Sequence, residues 1–317
     1  MPEPRRKTPA PGPFPPFGAD PRVFPKEALA LALALGLPAP VQKALEALCP
    51  RIPWERLAPQ LRALCSAQQA PGAQRALAAS LAPLEDGSGL AQLAAYLAAA
   101  AGTREICRAA GVDETVFADT MRCFPRFLSE THANTGQWRF DRAFWTWRQT
   151  ACRLFRLGTL EFEYRAAGDA PPPGLAGGDA VLSVHIPSDA CLTGGALADS
   201  YARMRRFFAE EGAAFCTQGA PKAVVCSTWL LSPALTPLLT ARSGIRRFAS
   251  DYELYETDPD DPGFYHWLFG GQAPVGALPG KTSLQRAVKD LLAGGGRLGA
   301  ARGVLRPEAG KGKDMVK

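Results

Sequence analysis

The chain reads FRLGTLEFEYR at residues 155–165, VLSVHIP at 181–187, SDACLTGG at 188–195, ALADSYARMRRFF at 196–208 and KAVVCSTWLLSP at 222–233. This order is typical of strand, strand, glycine-bearing turn, amphipathic helix and buried strand. Open sheets bind ligands at the carboxyl ends of their strands, where the next helix presents its first N–H groups and the positive end of its dipole. The sequence therefore predicts a place for an anionic ligand above this unit.

Length and charge narrow the class of protein. A chain of 317 residues and 33.8 kDa favours two domains. The formal net charge is +6, and residues 276–317 hold nine Lys or Arg against three Asp or Glu, so the preceding residues are neutral overall. No aromatic residues interleave with those basic residues. We therefore expect no nucleic-acid partner.

The cysteines and the apolar runs bear on compartment and cofactors. Eight Cys form no C-x-x-C pair and only three His accompany them, so we expect no metal site. Free cysteines beside apolar residues indicate a reducing compartment, and we predict a cytoplasmic protein. The apolar run at 28–37 is too short to span a bilayer, so no membrane partner is expected.

The composition changes abruptly along the chain. Residues 1–25 are rich in proline and are predicted to form a disordered arm, and residues 26–157 have helical spacing throughout. The last helix of that domain is predicted within 139–158, with Gly158 ending it. Residues 158–305 are predicted to form a mixed sheet flanked by helices, and residues 306–317 a basic tail. The fold class is thus α+β.

Several elements of the second domain can be placed individually. TLEFEY at 159–164 alternates as a half-buried strand does, and IRRFASDYELYE at 245–256 alternates again. A capping box, Thr282 with Gln285, predicts a final helix, and RGVL after it an edge strand. The helix after the turn is predicted to bury four residues at helical spacing: Leu197, Tyr201, Met204 and Phe208.

The turn itself offers small side chains at the start of a helix. Ser188, Thr193, Gly194 and Gly195 would let the backbone approach a pyrophosphate while amides of the helix face it. The alternative is an ordinary helix start with Thr193 as N-cap and no ligand. The turn matches neither G-x-G-x-x-G nor the Walker pattern, so dinucleotide and nucleoside triphosphate ligands lose support.

The chain resembles bacterial acyltransferases in which a helical N-acyltransferase domain precedes a GNAT-like domain. The resemblance lies in ICRAAGVDETVFADTMRCFPRF, FRLGTLEFEY, VHIPSDACLT, CSTWLLSP and TSLQRAVKDLLAGG, and covers most of residues 25–305. It implies a GNAT-like sheet in which the HIP strand, including Ile186, is splayed and binds acyl-CoA through its backbone. The turn would then hold the pyrophosphate. The turn lacks the R/Q-x-x-G-x-G/A signature of ordinary GNAT enzymes.

The activity implied by the resemblance is transfer of an acyl group from acyl-CoA, with acetyl-CoA favoured, to a small-molecule amine. Direct attack by the amine needs a base, and His185 at the end of a strand beside the turn is the leading candidate. Ser227, on the adjacent strand, is a second candidate that would relay a proton. Two alternatives remain: an acyl-enzyme on Cys191, with His185 six residues before it as its partner, and a non-catalytic binding or sensory module that retains the fold. The sequence does not indicate an oligomeric state.

Overall fold

The computed structural model describes residues 20–310, and the chain divides into two compact units between Cys152 and Arg153. Most of the predicted arm, and residues 311–317 of the predicted tail, lie outside the described residues. The first described residue is Asp20, whose carboxylate accepts a hydrogen bond from the N–H of Arg22 and so caps a 3-10 turn.

The first unit is helical, as predicted. Its helices are α1 Phe24–Ala34, α2 Ala39–Leu48, α3 Trp54–Leu64, α4 Ala70–Leu81, α5 Leu90–Ala109, α6 Glu114–Met121, α7 Cys123–Thr135 and α8 Ala143–Thr150. Helix α5 is the central one, because residues around its whole circumference are buried and it packs on α1, α3 and α8. Its alanines let those helices approach closely.

The described part of the second unit, residues 153–310, contains a mixed sheet of six strands in the order β1-β2-β3-β4-β6-β5. The strands are β1 Leu154–Leu157, β2 Leu160–Ala166, β3 Ala180–His185, β4 Ala223–Thr228, β5 Tyr252–Asp258 and β6 Ala300–Leu305. Neighbouring strands are antiparallel except for β3 and β4, which are parallel. The α+β fold class is therefore confirmed.

Within residues 153–310, three α-helices accompany the sheet: α9 Gly194–Ala209, α10 Gly244–Ser250 and α11 Ser283–Ala293. Helix α9 connects the parallel strands and buries all four residues predicted from its spacing. The capping box of Thr282 with Gln285 is present at the start of α11, as predicted. A short π-helical turn covers Tyr265–Phe269.

The predicted helix within 139–158 is wrong in its second half. Helix α8 ends at Thr150, Cys152 takes a left-handed backbone conformation with φ 53°, and the chain continues as β1. Residues 154–157, which were predicted as the end of that helix, instead form this strand. Phe155, for example, packs its ring 4.7 Å from that of Phe207 on α9. Gly158 then belongs to the β1–β2 turn, with φ 73°.

Three further predictions for this unit need correction. The IRRFAS part of the segment 245–256 forms α10, and only its second part is a strand. RGVL belongs to β6, which lies between two strands and not at an edge. Strand β2 is not half-buried, because Glu161 and Glu163 are only 3% and 5% exposed. The central position predicted for β4 is confirmed.

Candidate functional site

The parallel strands β3 and β4 pair only at their amino ends. Their register joins Val181 to Ala223, Leu182 to Val224 and Ser183 to Val225, and the ladder ends there although both strands continue. Beyond it, the thiol of Cys226 lies 3.5 Å from the carbonyl oxygen of Val184. The carboxyl ends of the two strands therefore carry backbone groups that the β3–β4 ladder does not use.

The turn after β3 is held by the β1–β2 hairpin. The carboxylate of Asp189 accepts a hydrogen bond from Arg156 of β1 at 2.7 Å. The N–H of Cys191 donates to the hydroxyl of Thr159 at 2.6 Å, and the N–H of Ala190 closes a turn onto the carbonyl of Pro187 at 2.9 Å. These contacts fix the course of the backbone between β3 and α9.

Helix α9 begins with uncapped amides. Thr193 occupies the N-cap position, but its hydroxyl makes no capping bond and instead lies 3.4 Å from the thiol of Cys191. The first hydrogen bond within the helix runs from the N–H of Leu197 to the backbone carbonyl of Thr193. Among the described residues, no hydrogen bond engages the N–H groups of Gly194, Gly195 and Ala196 before it. Three donors and the positive end of a 16-residue helix thus face outward.

The surroundings of the two glycines favour an anion at this place. A Cβ built on Gly194 would lie 3.8 Å from the Nε atom of Arg247, which α10 brings to the start of α9. A Cβ on Gly195 would meet no atom within 4 Å, so the space beside this residue is open. Arg247 is exposed, and so is its neighbour Arg246. A guanidinium and helix N–H groups together suit a phosphate.

His185, at the end of β3, is bonded to a carboxylate. Its Nε2 atom lies 3.0 Å from Oε2 of Glu163 on β2. The Glu163 side chain is 7% exposed and that of His185 is 23% exposed. The register of β2 with β3 places both side chains on one face of the sheet. A histidine oriented by a buried carboxylate is an arrangement that can accept a proton from a substrate.

Ser227 lies on the same face of the sheet as His185. The register pairs Ser183 with Val225, and the alternation along β3 and β4 then places His185 and Ser227 on that face. Ser227 is exposed, and its hydroxyl makes no hydrogen bond to the other described residues. The structure gives no contact between Ser227 and His185, so a proton relay between them is not formed directly.

Cys191 is the exposed cysteine of the turn. Hydrogen bonds with Thr193 lower the pKa of its thiol. Its N–H donates to Thr159 and its thiol lies beside the hydroxyl of Thr193, and within residues 20–310 no contact joins this thiol to His185. The Cys191–His185 pair considered from the sequence therefore lacks the nucleophile–base contact that an acyl-enzyme mechanism requires.

The predicted residues thus form two groups at the carboxyl ends of β3 and β4. His185 and Ser227 share one face of the sheet. The second group belongs to the tethered turn and the start of α9 and consists of Ser188, Thr193, Gly194 and Gly195, with Ile186 directly after β3.

Sequence reasoning missed two residues in particular. Glu163 was assigned to a solvent face because it alternates with apolar residues. Arg247 was assigned to a strand, and the sequence carries no signal that brings it beside Gly194.

Other features of the described residues do not join this site. His132 stacks on Trp138 in the helical unit, with ring centroids 3.9 Å apart, and His266 lies in the π-helical turn. Within residues 20–310 no three His, Cys, Asp or Glu side chains are grouped as metal ligands. None of the helices described there combines the length and hydropathy needed to cross a bilayer.

Solved structures of similar fold are acyltransferases. An acyltransferase mutant in complex with octanoyl-CoA is 22% identical, with a TM-score of 0.71, over 89% of this chain and 88% of that chain. An acyltransferase in complex with decanoyl-CoA and teicoplanin is 21% identical, with a TM-score of 0.63, over 88% of this chain and 99% of that chain. At these identities the likeness concerns the fold. A comparison with curated proteins finds no match.

Family models match both units of the chain. The N-acyltransferase N-terminal domain matches residues 26–152, and the GNAT-like C-terminal domain matches residues 154–305. The two matches are consecutive and meet where the compact units divide. The resemblance seen in the sequence is therefore confirmed. The chain belongs to the two-domain acyltransferases that join a helical N-acyltransferase N-terminal domain to a GNAT-like C-terminal domain.

Proposed function

We propose that the protein transfers an acyl group from acyl-CoA to the amine of a small molecule by direct attack. One observation carries the proposal: the parallel strands stop pairing at Ser183 and Val225, directly below a tethered turn that leads into an uncapped helix. The open strand ends suit the amide groups of a pantetheine arm, and the helix start suits a pyrophosphate. The solved structures of similar fold, which contain CoA or acyl-CoA, support this carrier.

Each predicted residue has a part in this proposal. The backbone of Ile186 would bind the pantetheine arm, and the turn from Ser188 to Gly195 would bind the pyrophosphate, with Thr193 and Gly194 at the helix start. Arg247 adds a positive charge beside Gly194. None of these roles needs a metal ion, because the phosphates meet helix N–H groups and a guanidinium.

The reaction needs one proton acceptor and one proton donor. The nitrogen of the acceptor attacks the thioester carbonyl carbon, a C–N bond forms, and the C–S bond breaks. His185 takes the proton that the amine loses, and a proton passes to the leaving thiolate of CoA. Positioning supplies much of the rate, because the thioester is already reactive. Ser227 stays a candidate for orienting water or a proton on the same face.

Binding and turnover measurements test the proposal together. We expect acetyl-, octanoyl- and decanoyl-CoA to bind with different Kd values in calorimetric titrations. The acyl-CoA that binds most tightly is expected to release its thiol in the presence of a panel of small amines. The family resemblance favours acetyl-CoA, whereas two of the structures of similar fold hold octanoyl- and decanoyl-CoA. Absence of binding by all three carriers would contradict the proposal.

Replacement of His185 tests the proposed base. His185→Ala is expected to lower kcat by about 100-fold or more while the affinity for acyl-CoA is retained, since general base catalysis contributes about 10²–10⁴. His266→Ala is the matched control, because His266 lies in the π-helical turn. An unchanged kcat in His185→Ala would exclude the role.

A non-catalytic binding module is the second candidate. The observation that favours it is the turn sequence, which departs from the R/Q-x-x-G-x-G/A signature. A binding module would hold acyl-CoA without thiol release in any amine assay. The acyl-enzyme alternative would instead give an acylated Cys191 peptide by mass spectrometry.

The cytoplasm is the proposed compartment. Within residues 20–310, which hold all eight cysteines, no disulfide bond is formed, not even between Cys107 and Cys152, whose sulfur atoms lie 3.8 Å apart in the helical unit. Thiols that lie so close stay reduced in a reducing compartment.

A further inference from the structure

We propose that Glu163 is a positioning residue that holds His185 in the tautomer with its proton on Nε2. The inference rests on the proposed function, in which His185 accepts a proton, and it names the atom that does so. With the proton on Nε2, the lone pair of the neutral imidazole lies on Nδ1.

The sheet register explains how the contact is made. Glu163 is the direct partner of Ser183, and His185 lies two residues further along β3 on the same face. Such diagonal neighbours have Cα atoms about 7–8 Å apart, a distance that only long or aromatic side chains bridge. A glutamate and a histidine together cover it, and the observed Nε2–Oε2 distance is 3.0 Å. An aspartate at position 163 would be one methylene too short.

The chemistry of the pair fixes the direction of the hydrogen bond. An ionised carboxylate only accepts, so the nitrogen that faces Oε2 must donate. Burial strengthens this constraint, because a carboxylate removed from water needs hydrogen-bond donors. Since Nε2 is the nitrogen facing Glu163, it carries the proton.

The same contact assists the transfer step. When Nδ1 takes the proton of the attacking amine, His185 becomes an imidazolium whose Nε2–H still donates to Glu163. The carboxylate stabilises the new positive charge and does not itself become protonated. The proton on Nδ1 is then available to the CoA thiolate released by cleavage of the C–S bond, and the neutral imidazole returns.

Two substitutions separate this role from a structural one. Glu163→Gln keeps the size of the side chain but presents an amide that can donate to Nε2, which favours the opposite tautomer. Glu163→Asp keeps the charge and loses the reach. Glu253→Gln on β5, an exposed residue on the same face of the sheet, is the matched control. Circular dichroism and thermal unfolding establish that each variant is folded.

The direct readout is the histidine tautomer, measured by ¹H–¹⁵N long-range correlation NMR. The chain has only three histidines, so the signals of His185 are assigned with His185→Ala. We expect the Nε2–H form in the wild type and in Glu253→Gln, and loss of that form in Glu163→Gln. An Nδ1–H tautomer in the wild type would overturn the proposal.

The kinetic readout compares the effect of each substitution on kcat with its effect on the Kd of acyl-CoA. We expect kcat to fall by about 10-fold or more in Glu163→Gln and in Glu163→Asp, with the Kd of acyl-CoA unchanged, because loss of the group that orients a histidine costs between about 10-fold and about 10⁴-fold. Wild-type kcat in both folded variants would overturn the proposal. If the wild-type protein transfers no acyl group, the proposed function fails, and the NMR measurement still decides whether Glu163 sets the tautomer.

Discussion

At the scale of single residues, the cysteines show how local surroundings set reactivity. Burial raises the pKa of Cys49 to about 11 and that of Cys65 to about 12, and it also raises the pKa of Cys226. Cys191 differs, because it is exposed and its hydrogen bonds with Thr193 lower its pKa. One thiol of the turn is therefore more reactive than those of the core.

Alkylation is expected to select Cys191. The thiolate is the reactive form, so a lowered pKa makes this residue react at lower pH than the buried thiols. Thr193→Val removes the hydroxyl and is expected to move the pH of half-maximal alkylation upward. Mass spectrometry of iodoacetamide-treated protein measures both effects, with Thr257→Val, a change at an exposed strand position, as the control. Equal rates in both variants would contradict the assigned cause.

Gly195 provides a test of the anion site that leaves the fold intact. A methyl group here meets no protein atom within 4 Å, so Gly195→Ala is expected to keep or raise stability by about 0.4–1 kcal/mol. A phosphate that approaches the helix start would meet the methyl group, and the Kd of acyl-CoA should rise about tenfold, or roughly 1.4 kcal/mol.

The control for that change is Gly72→Ala. Gly72 also lies in the first turn of a helix, α4, and a Cβ there meets no atom within 4 Å. Calorimetry on both variants compares the same chemical change at two helix starts. An unaltered Kd in Gly195→Ala would show that the carrier does not use this turn.

At the scale of elements, the local sequence pattern predicted those helices whose signals come from residues close together in the chain. The periodicity of α9 and the capping box of α11 depend on neighbours within a few residues, and both were predicted correctly. The segment from Arg153 to Leu157 was not, because arginines and apolar residues at these positions satisfy helical and strand spacing alike. Pairing with β2, a contact between elements, selects the strand.

Ser200 links two elements around the turn. Its hydroxyl, fully buried on α9, donates to the carbonyl of Leu157 and accepts the N–H of Leu160 at 3.1 Å. Ser200→Ala would leave both backbone groups without this partner. We expect a loss of about 1–3 kcal/mol in the stability of the sheet unit.

Hydrogen exchange at the β1–β2 hairpin measures that loss locally, which avoids treating a protein with two units as a two-state system. Ser250→Ala is the control, because its hydroxyl bonds the carbonyl of Arg247 at the exposed end of α10. Unchanged protection of the hairpin in Ser200→Ala would refute the assigned link.

At the scale of the whole molecule, the sequence predicted the fold class and named the segment that holds the candidate site, but it did not predict the contacts between the side chains of that site. His185 and the turn are consecutive in the chain, so one sequence window contains them. Glu163 lies 22 residues before His185, and its contact depends on the β2–β3 register. Arg247 reaches Gly194 only through the packing of α10 beside α9. Such contacts are fixed by tertiary structure, which spacing in a single sequence does not encode.

The global stability is expected to carry a pH dependence from Asp251. Burial raises the pKa of this carboxyl above its ordinary value, although Arg247 and Arg306 act in the opposite direction. A raised folded-state pKa means that the stability present at low pH is lost as the pH rises through that pKa. Asp251→Asn removes this loss.

The difference in Tm between Asp251→Asn and the wild type should therefore be more positive at about pH 8 than at about pH 4.5. Differential scanning calorimetry measures it, with Asp169→Asn in an exposed loop as the control. A difference that does not vary with pH would exclude Asp251 as the source.

The tethering of the turn by Arg156 and Thr159 has a thermodynamic consequence. A loop that is ordered before its ligand arrives loses little conformational freedom on capture, because that freedom was already lost when the chain folded. Severing the Asp189 tether, by contrast, would return the loop to many conformations, and each arriving ligand would then have to select one of them.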